Sequence, residues 1–237
     1  LKSIEVSKKR WIEIFEDIAH LQGLSLSDIK ASVWVDGKKI ADKVGDMIFA
    51  HFGLSGPLIL SLSRGIVDAL AKKSKVKITI DLLPLLDVQE LDQKLIYELS
   101  QNPKQKMKTI LKVMMPKRLV DMCLAHAKIN PEILASQINS KERKQLRVFL
   151  KEAAFTVKAT RPITESIITA GGVETKEVDP KTMGSKLVNG LYFAGELLDV
   201  DADTGGFNLQ IAFSTGWLAG KYAAIPFRGE SFDPRNS

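Results

Sequence analysis

Cysteine is almost absent from this chain. Cys123 is the single one among 237 residues, which excludes an intrachain disulfide and leaves no set of thiolates for a cysteine-rich metal site. Its spacing fits the apolar face of a helix, so it reads as core filling. Long apolar runs are missing too. Hydrophobic residues make up 45% of the chain and mean hydropathy is near zero, yet no stretch approaches the ~20 apolar residues of a membrane helix. Leu1 to Arg10 carries charges without the apolar segment of a secretion signal, so the expected location is the cytoplasm. A third absence is one of glycine spacing. A self-sufficient dinucleotide-binding domain sets a G-x-G-x-x-G turn between its first strand and helix, where backbone N–H groups meet a pyrophosphate. Gly53 and Gly56 have the wrong spacing for that turn, as do Gly216 and Gly220.

The charge that is present lies unevenly. The net charge is +6, with 28 Lys+Arg against 19 Asp+Glu in residues 1–165 and 6 against 9 in residues 166–237. A basic segment attracts nucleic acid or a phosphate-bearing cofactor. Here the lysines are spread along helical stretches and mixed with acids, without interleaved aromatics, which describes solvated faces and predicts no nucleic-acid partner. The length allows one large domain or two small ones.

Local patterning divides the chain further. Trp11, Ile14, Phe15, Ile18 and Leu21 recur at helical spacing and predict a short amphipathic helix over residues 7–21, closed by Gly23. Residues 29–35 and 38–44 flank Asp36-Gly37, the dipeptide of a two-residue type I′ turn, and predict a hairpin. Residues 47–52 read as a third strand broken by Gly53 to Pro57, and a helix follows over 58–72 with Pro57 in its first position. Residues 76–81 alternate again. From Val88 to Leu150 the period is helical: Leu91, Leu95, Ile96 and Leu99 mark one helix, and Met107, Ile110, Leu111 and Met114 the next. Pro116, Pro131 and Asn139-Ser140 divide the remainder, with Ser140 the candidate N-cap for residues 141–150. Met107, Met114, Met115 and Met122 suit either an adaptable surface or a core, and helical spacing favours the core. Phe155 to Thr160 returns to strand.

Residues 190–224 carry the strongest chemical signal. Leu191-Tyr192-Phe193-Ala194 is short, apolar and β-prone, and predicts a buried strand that ends at Gly195 and the carboxylate of Glu196. Asp199, Asp201 and Asp203 lead to Thr204-Gly205-Gly206, and Phe207 to Ala224 then reads as a helix. The paired glycines let backbone approach a ligand, and the first-turn N–H groups of Asn208, Leu209 and Gln210 are free to face an electron-rich group. A plain strand-to-helix connection accounts for the same spacing without a ligand. A second apolar run, residues 167–173, predicts another strand and ends in the pair Gly171-Gly172.

Five segments resemble one family. Leu191–Glu196 and Thr204–Gln210 are similar to the "LYFAGE" and "TGGYNLQ" signatures of bacterial flavoproteins known as NAD(P)/FAD-dependent oxidoreductases of the YhiN or BaiN type, with Phe207 where tyrosine is frequent. Residues 49–63, FAHFGLSGPLILSLS, resemble the family's "LFTHFGLSGPAILDLS", with Ala50 where threonine is usual. Residues 167–173 resemble "AIVTAGGV", and residues 179–186 resemble "PKTMESK" with Gly184 in place of glutamate. The resemblance implies FAD as cofactor and NAD(P)H as a possible hydride donor. It puts Glu196 against a ribityl or ribose hydroxyl, and Gly171, Gly172, Gly195, Gly205, Gly206, Phe207, Asn208 and Leu209 along the cofactor. The positive helix end beside the flavin would stabilise its anionic reduced form. Thr182 and Ser185 are secondary candidates, and the loss of the glutamate at 184 predicts a looser loop. His51 has a pKa suited to general-base work, but with no carboxylate or serine at a readable spacing it reads as structural.

The resemblance also implies that family members carry the glycine-rich turn ahead of the part matched here, so a truncated product is expected. The missing half of the FAD domain, in the same gene or another chain, is then a partner, and the fragment alone binds FAD weakly. The expected fold is α+β. A small β-barrel (about 25–85 and 153–163) and a helical subdomain (about 86–152) form an insertion domain over residues 1–163. The C-terminal segment of an α/β, Rossmann-like FAD-binding domain follows over 164–237. The expected function is flavin-dependent redox chemistry, FAD passing a hydride between NAD(P)H and a small organic substrate that the sequence does not identify. The alternative is a non-catalytic binding module with vestigial cofactor loops. No metal site and no catalytic residue is assigned.

Overall fold

The computed structural model describes residues 4–7, 18–161, 164, 166, 168–203 and 205–225. It divides into two compact units, Leu1–Ser166 and Ile167–Ser237.

The first unit is built on a closed antiparallel barrel in the order β1-β4-β3-β2-β5-β6. Its strands are β1 (Ile4–Ser7), β2 (Ser25–Val35), β3 (Lys38–Ala50), β4 (Gly53–Ser55), β5 (Val76–Asp81) and β6 (Ala153–Thr160). Alternation sets the inside: Leu26, Ile29, Ala31 and Val33 of β2, Ile78 and Ile80 of β5, and Phe155 and Val157 of β6 are all buried. Closure leaves no free sheet edge.

The Asp36-Gly37 hairpin forms as predicted. Both residues have positive φ, 49° and 84°, as a type I′ turn requires, and the Lys75 N–H donates to the Asp36 carboxylate at 2.9 Å. The strand predicted over 47–52 is not separate. Met47 to Ala50 continues β3, because the hairpin register carries β3 on until Ile48 faces Ser25. Gly53 to Ser55, read in the sequence only as a break, pairs with both β1 and β3. Of the helix predicted over 7–21, Ser7 instead ends β1, Ile18–Leu21 is a 3-10 turn, and residues 8–17 lie outside the described residues.

Helix α1 (Pro57–Ala71) buries Leu58, Ile59, Leu62 and Ile66 against the barrel and starts on Pro57. Gly56 before it has φ 96°, and a Cβ there would lie 2.9 Å from the Met47 Cα, so only glycine lets this turn close against β3. Helices α2 (Val88–Gln101), α3 (Met107–Met114), α4 (Lys117–Ala127) and α5 (Ser140–Glu152) fill the insertion between β5 and β6. Capping boxes open α2 at Asp87 and α5 at Asn139. The cap of α5 is therefore Asn139, not Ser140: its side chain accepts from the Glu142 N–H while the Glu142 carboxylate accepts from the Asn139 N–H, both at 2.9 Å.

Barrel and helices share one core. Buried Leu95, Met107, Met122, Cys123, Leu146 and Phe149 are continuous with the barrel interior, and Phe49 meets Phe155 with ring centroids 5.9 Å apart. Burial pushes the Cys123 thiol pKa up, which keeps it protonated and unreactive. Lys151 of α5 ties helix to barrel through Asp81 at 2.6 Å and the carbonyls of Leu83 and Leu86. Asp92 of α2 holds Arg143 and Arg147 of α5 at 2.9 and 2.8 Å.

The second unit contains one long helix, α6 (Phe207–Ala223), in place of the predicted 207–224. Neither predicted strand forms as such. Tyr192 makes a single antiparallel bridge to Gly184, Leu191 is 41% exposed, and of residues 168–173 only Val173 is bridged, to Leu198 in parallel. The runs are apolar along their length, as strands buried on both faces are, but no ladder of neighbouring strands is present among the described residues of this unit.

Candidate functional site

Part of the sequence-predicted site, Gly172, Gly195 and Glu196, comes together at one turn, and the residues at the start of α6 form a separate group. Gly195–Leu197 forms a 3-10 turn seated on α6. The Gly195 N–H donates to the Thr215 hydroxyl at 2.9 Å, that hydroxyl donates on to the Ile211 carbonyl at 2.7 Å, and Gly195 packs against Ala212. Gly195 has φ 64°, so the turn uses a conformation that glycine takes without strain. Thr215 has no signal in a sequence reading, since a threonine inside a helix looks like any other.

Glu196 projects from this turn. Its Oε1 accepts from both the backbone N–H of Thr169 at 2.6 Å and the Thr169 hydroxyl at 2.8 Å. The Thr169 N–H first and its hydroxyl second hold the Glu196 carboxyl below the usual carboxylate range, so the group is anionic at neutral pH. Oε2 takes no hydrogen bond from the described residues.

The segment from Thr169 to Val173 lies along the turn. Val173 donates to the Leu197 carbonyl at 2.8 Å and accepts from the Asp199 N–H at 3.0 Å. Gly172 is a glycine for a reason internal to the protein: a Cβ there would sit 2.5 Å from the Leu197 carbonyl oxygen. Gly171, with φ 102°, faces open space.

At the start of α6, Gly206 has φ 87° with nothing within 4 Å of a built Cβ, and no side chain caps the helix. The first helical bond runs from the Gln210 N–H to the Gly206 carbonyl. Gln210 was predicted to offer its N–H to a ligand, and this bond removes it from that role. The N–H groups of Asn208 and Leu209 remain at the positive end of the helix, with no acidic side chain in the first turn. The Asn208 side chain is spent on the preceding loop, donating to the Ala202 carbonyl at 2.8 Å and accepting from the Ala202 N–H at 2.9 Å. Gly205 packs against the Phe207 ring, while Phe207 and Leu209 are themselves 60% and 63% exposed.

The donor set fits the group that the sequence implies. Among the described residues, a carboxylate oxygen without a hydrogen bond, helix-start N–H groups without a capping side chain and glycines facing open space are groups that suit the hydroxyls and carbonyls of a flavin nucleotide. Nothing among the described residues assembles three or more metal-ligating side chains.

Thr182 and Ser185 serve their own loop. Asp179 accepts from the Lys181 N–H at 2.9 Å and the Thr182 hydroxyl at 3.1 Å, and the Ser185 hydroxyl accepts from Leu187 and Val188 N–H groups. Asp179 anchors this loop, and a Cβ at Gly184 would lie 3.2 Å from the Thr182 hydroxyl and 3.4 Å from the Tyr192 ring. His51 is exposed in the β3–β4 turn, edge-on to Phe52.

Comparison with known proteins places this fold. Residues 11–168 match the family described as HI0933-like protein barrel and H2TH domain. The chain belongs to this family. The resemblance carried by residues 49–63, which lie inside the match, is borne out, as is the barrel-plus-helices architecture. The chain is 31% identical over 198 residues to the 3-dehydro-bile acid delta(4,6)-reductase of Clostridium scindens, covering 84% of this chain and 48% of that protein. It is 36% identical over 175 residues to the ribosomal RNA dihydrouridine synthase of Haemophilus influenzae, covering 72% and 40%. The corresponding Escherichia coli enzyme is 33% identical over 172 residues, covering 73% and 40%. The chain thus spans about half or less of the length of the curated relatives it matches. No helix among the described residues is long and apolar enough to cross a membrane.

Proposed function

We propose that this chain supplies the flavin-facing edge of an FAD-dependent oxidoreductase that adds hydrogen across an activated carbon–carbon double bond. The observation that carries the reading is the Glu196 turn, seated on α6 through Thr215 and tied to Thr169, with one carboxylate oxygen taking no hydrogen bond from the described residues. The relatives' names supply the substrate class. Converting uridine to dihydrouridine and reducing a delta(4,6) bile acid both saturate a carbon–carbon bond, one in a pyrimidine and the other in a steroid.

Bound FAD would supply hydride transfer, taken from NADH or NADPH. The protein's part is binding and electrostatics. Glu196 accepts a ribose or ribityl hydroxyl, and its ionised form makes that hydrogen bond charge-assisted. The Asn208 and Leu209 N–H groups, at the positive end of α6, favour negative charge on whatever carbonyl lies against them. Gly171, Gly205 and Gly206 keep side chains out of the way. The pyrophosphate and adenosine contacts come from a nucleotide-binding half, in the same polypeptide or another chain. It would also cover the exposed apolar residues of α6.

The test uses the complete protein. It is expected to be yellow, to bleach with NADH or NADPH under anaerobic conditions, and to recover its colour on addition of an enone or a uridine-containing RNA. Glu196→Ala is expected to weaken FAD binding by about ten- to a hundredfold. A protein that stays colourless with excess FAD favours the non-catalytic module instead.

A further inference from the structure

We propose that Thr169 is a positioning residue for the cofactor site: through its paired N–H and O–H on Glu196 Oε1 it fixes the carboxylate so that Oε2 is presented to a cofactor hydroxyl. The inference rests on the reading of Glu196 as a cofactor ligand and names what makes that ligand competent.

The geometry is specific. Glu196 is an exposed side chain with three rotatable bonds, and an exposed glutamate of this kind samples many rotamers. Two donors from one residue converge on a single oxygen at 2.6 and 2.8 Å, which selects one arrangement and leaves the second oxygen without a hydrogen bond from the described residues. Both ends of the contact are anchored. On one side, the turn is held by Gly195 on Thr215 and Ala212. On the other, the chain after Thr169 is zipped to the same turn by Val173, between Leu197 and Asp199, and by the close approach of Gly172 to Leu197. A carboxylate already fixed loses less conformational freedom when a ligand arrives, and preorganisation of this sort appears as affinity. The threonine hydroxyl also favours the charged form of Glu196, which is the form that accepts.

Neither residue advertises the partnership in the sequence, because 27 positions separate them. An apolar run ending in Gly171-Gly172 draws attention to its glycines and not to the threonine inside it.

Thr169→Val keeps the size, the branching and the backbone N–H of Thr169 while removing the hydroxyl, and Thr169→Ser keeps the hydroxyl. In the complete protein, FAD affinity is measured by flavin fluorescence between pH 4 and 8, together with thermal unfolding of the apoprotein. Thr169→Val is expected to weaken FAD binding by about five- to tenfold while apoprotein Tm stays close to that of the parent, and Thr169→Ser is expected to bind nearly as the parent does. The pH dependence should move as well. With the hydroxyl gone the Glu196 pKa rises toward its ordinary value, so affinity begins to fall at a higher pH on acidification than it does in the parent. In a Glu196→Ala background, Thr169→Val should cost no further affinity.

Three results overturn the proposal. One is FAD affinity unchanged in Thr169→Val while Glu196→Ala still weakens it, which leaves the functional reading intact. Another is an equal loss in the Glu196→Ala background, and the third is a loss that tracks a matching fall in apoprotein Tm. If the complete protein takes up no FAD, or Glu196→Ala binds it as tightly as the parent does, the functional reading fails first and this one with it.

Discussion

The two units differ in what they do with their apolar residues. In the first, barrel and helices close over one continuous core, and side chains as large as Phe49, Phe149 and Phe155 are fully buried. In the second, the buried apolar residues among those described are Val178, Met183, Leu198 and Ala219, while Phe207, Leu209, Phe213 and Trp217 of α6 are each at least 60% exposed. A helix that is apolar on most of its faces belongs in an interior. The first unit covers its described core with its own residues. The second carries the sequence of a buried segment, and its exposed apolar faces call for cover.

The sharpest way to break this comparison is a truncation in the core of the first unit. Phe149 is fully buried on α5, with the His126 ring 5.5 Å away. Phe149→Ala is expected to cost about 3–5 kcal/mol in urea unfolding of the chain, enough to unfold a marginal domain. Survival of the cooperative transition at unchanged midpoint would show that barrel and helices do not share a core.

Glycine substitutions give the next largest effect. A methyl at Gly56 meets the Met47 Cα at 2.9 Å, and one at Gly172 meets the Leu197 carbonyl oxygen at 2.5 Å, both at positive φ. Gly56→Ala should lower global stability by about 2 kcal/mol. Gly172→Ala should act locally, separating the Thr169–Val173 segment from the Glu196 turn. Amide exchange at Val173 and Asp199 reports that separation directly, and protection retained there would place the clash elsewhere.

Smaller still is the ion pair between α2 and α5. The Arg143 side chain, ahead of Arg147, holds the Asp92 carboxyl below the usual range. A depressed folded-state pKa contributes stability above the unfolded pKa and loses it as pH falls through the folded one. The first unit should therefore weaken as pH drops below about 4, and Asp92→Asn should remove about 1 kcal/mol at neutral pH and flatten that acid slope. An acid limb of unchanged steepness in Asp92→Asn would assign the acid sensitivity to other carboxylates.

The same contrast explains what could be read without a structure. Asp36-Gly37 announced its hairpin because the turn chemistry is local, and helices α2 to α5 announced themselves by period. The barrel's closure by β4 did not, because three residues that begin at Gly53 and run into Gly56-Pro57 look like a loop until two other strands offer hydrogen bonds. In the second unit the apolar runs at 167–173 and 191–194 read as buried strands, but their described residues are neither fully buried nor laddered, since a strand is defined by neighbours and not by its own residues. Glu196 was legible as an acid after an apolar run. Thr169 and Thr215, which hold it and its turn, were not, because each acts across a distance that no local pattern encodes.

The smallest effect expected in this chain is also the one that sharpens the comparison most. Phe213 lies on α6 with 69% of its surface exposed, so Phe213→Ser removes little buried area and should change unfolding of the chain by less than about 0.5 kcal/mol. In a polypeptide that also carries the nucleotide-binding half, the proposed function has this face covered, and burying a phenylalanine there makes its loss worth about 2–4 kcal/mol, by the same reasoning as for Phe149. Measuring one substitution in both settings therefore reads out whether cover exists, independently of flavin. Equal and small effects in the two would mean that α6 stays exposed, and the difference between the units would then be a permanent feature of the fold and not the sign of a missing neighbour.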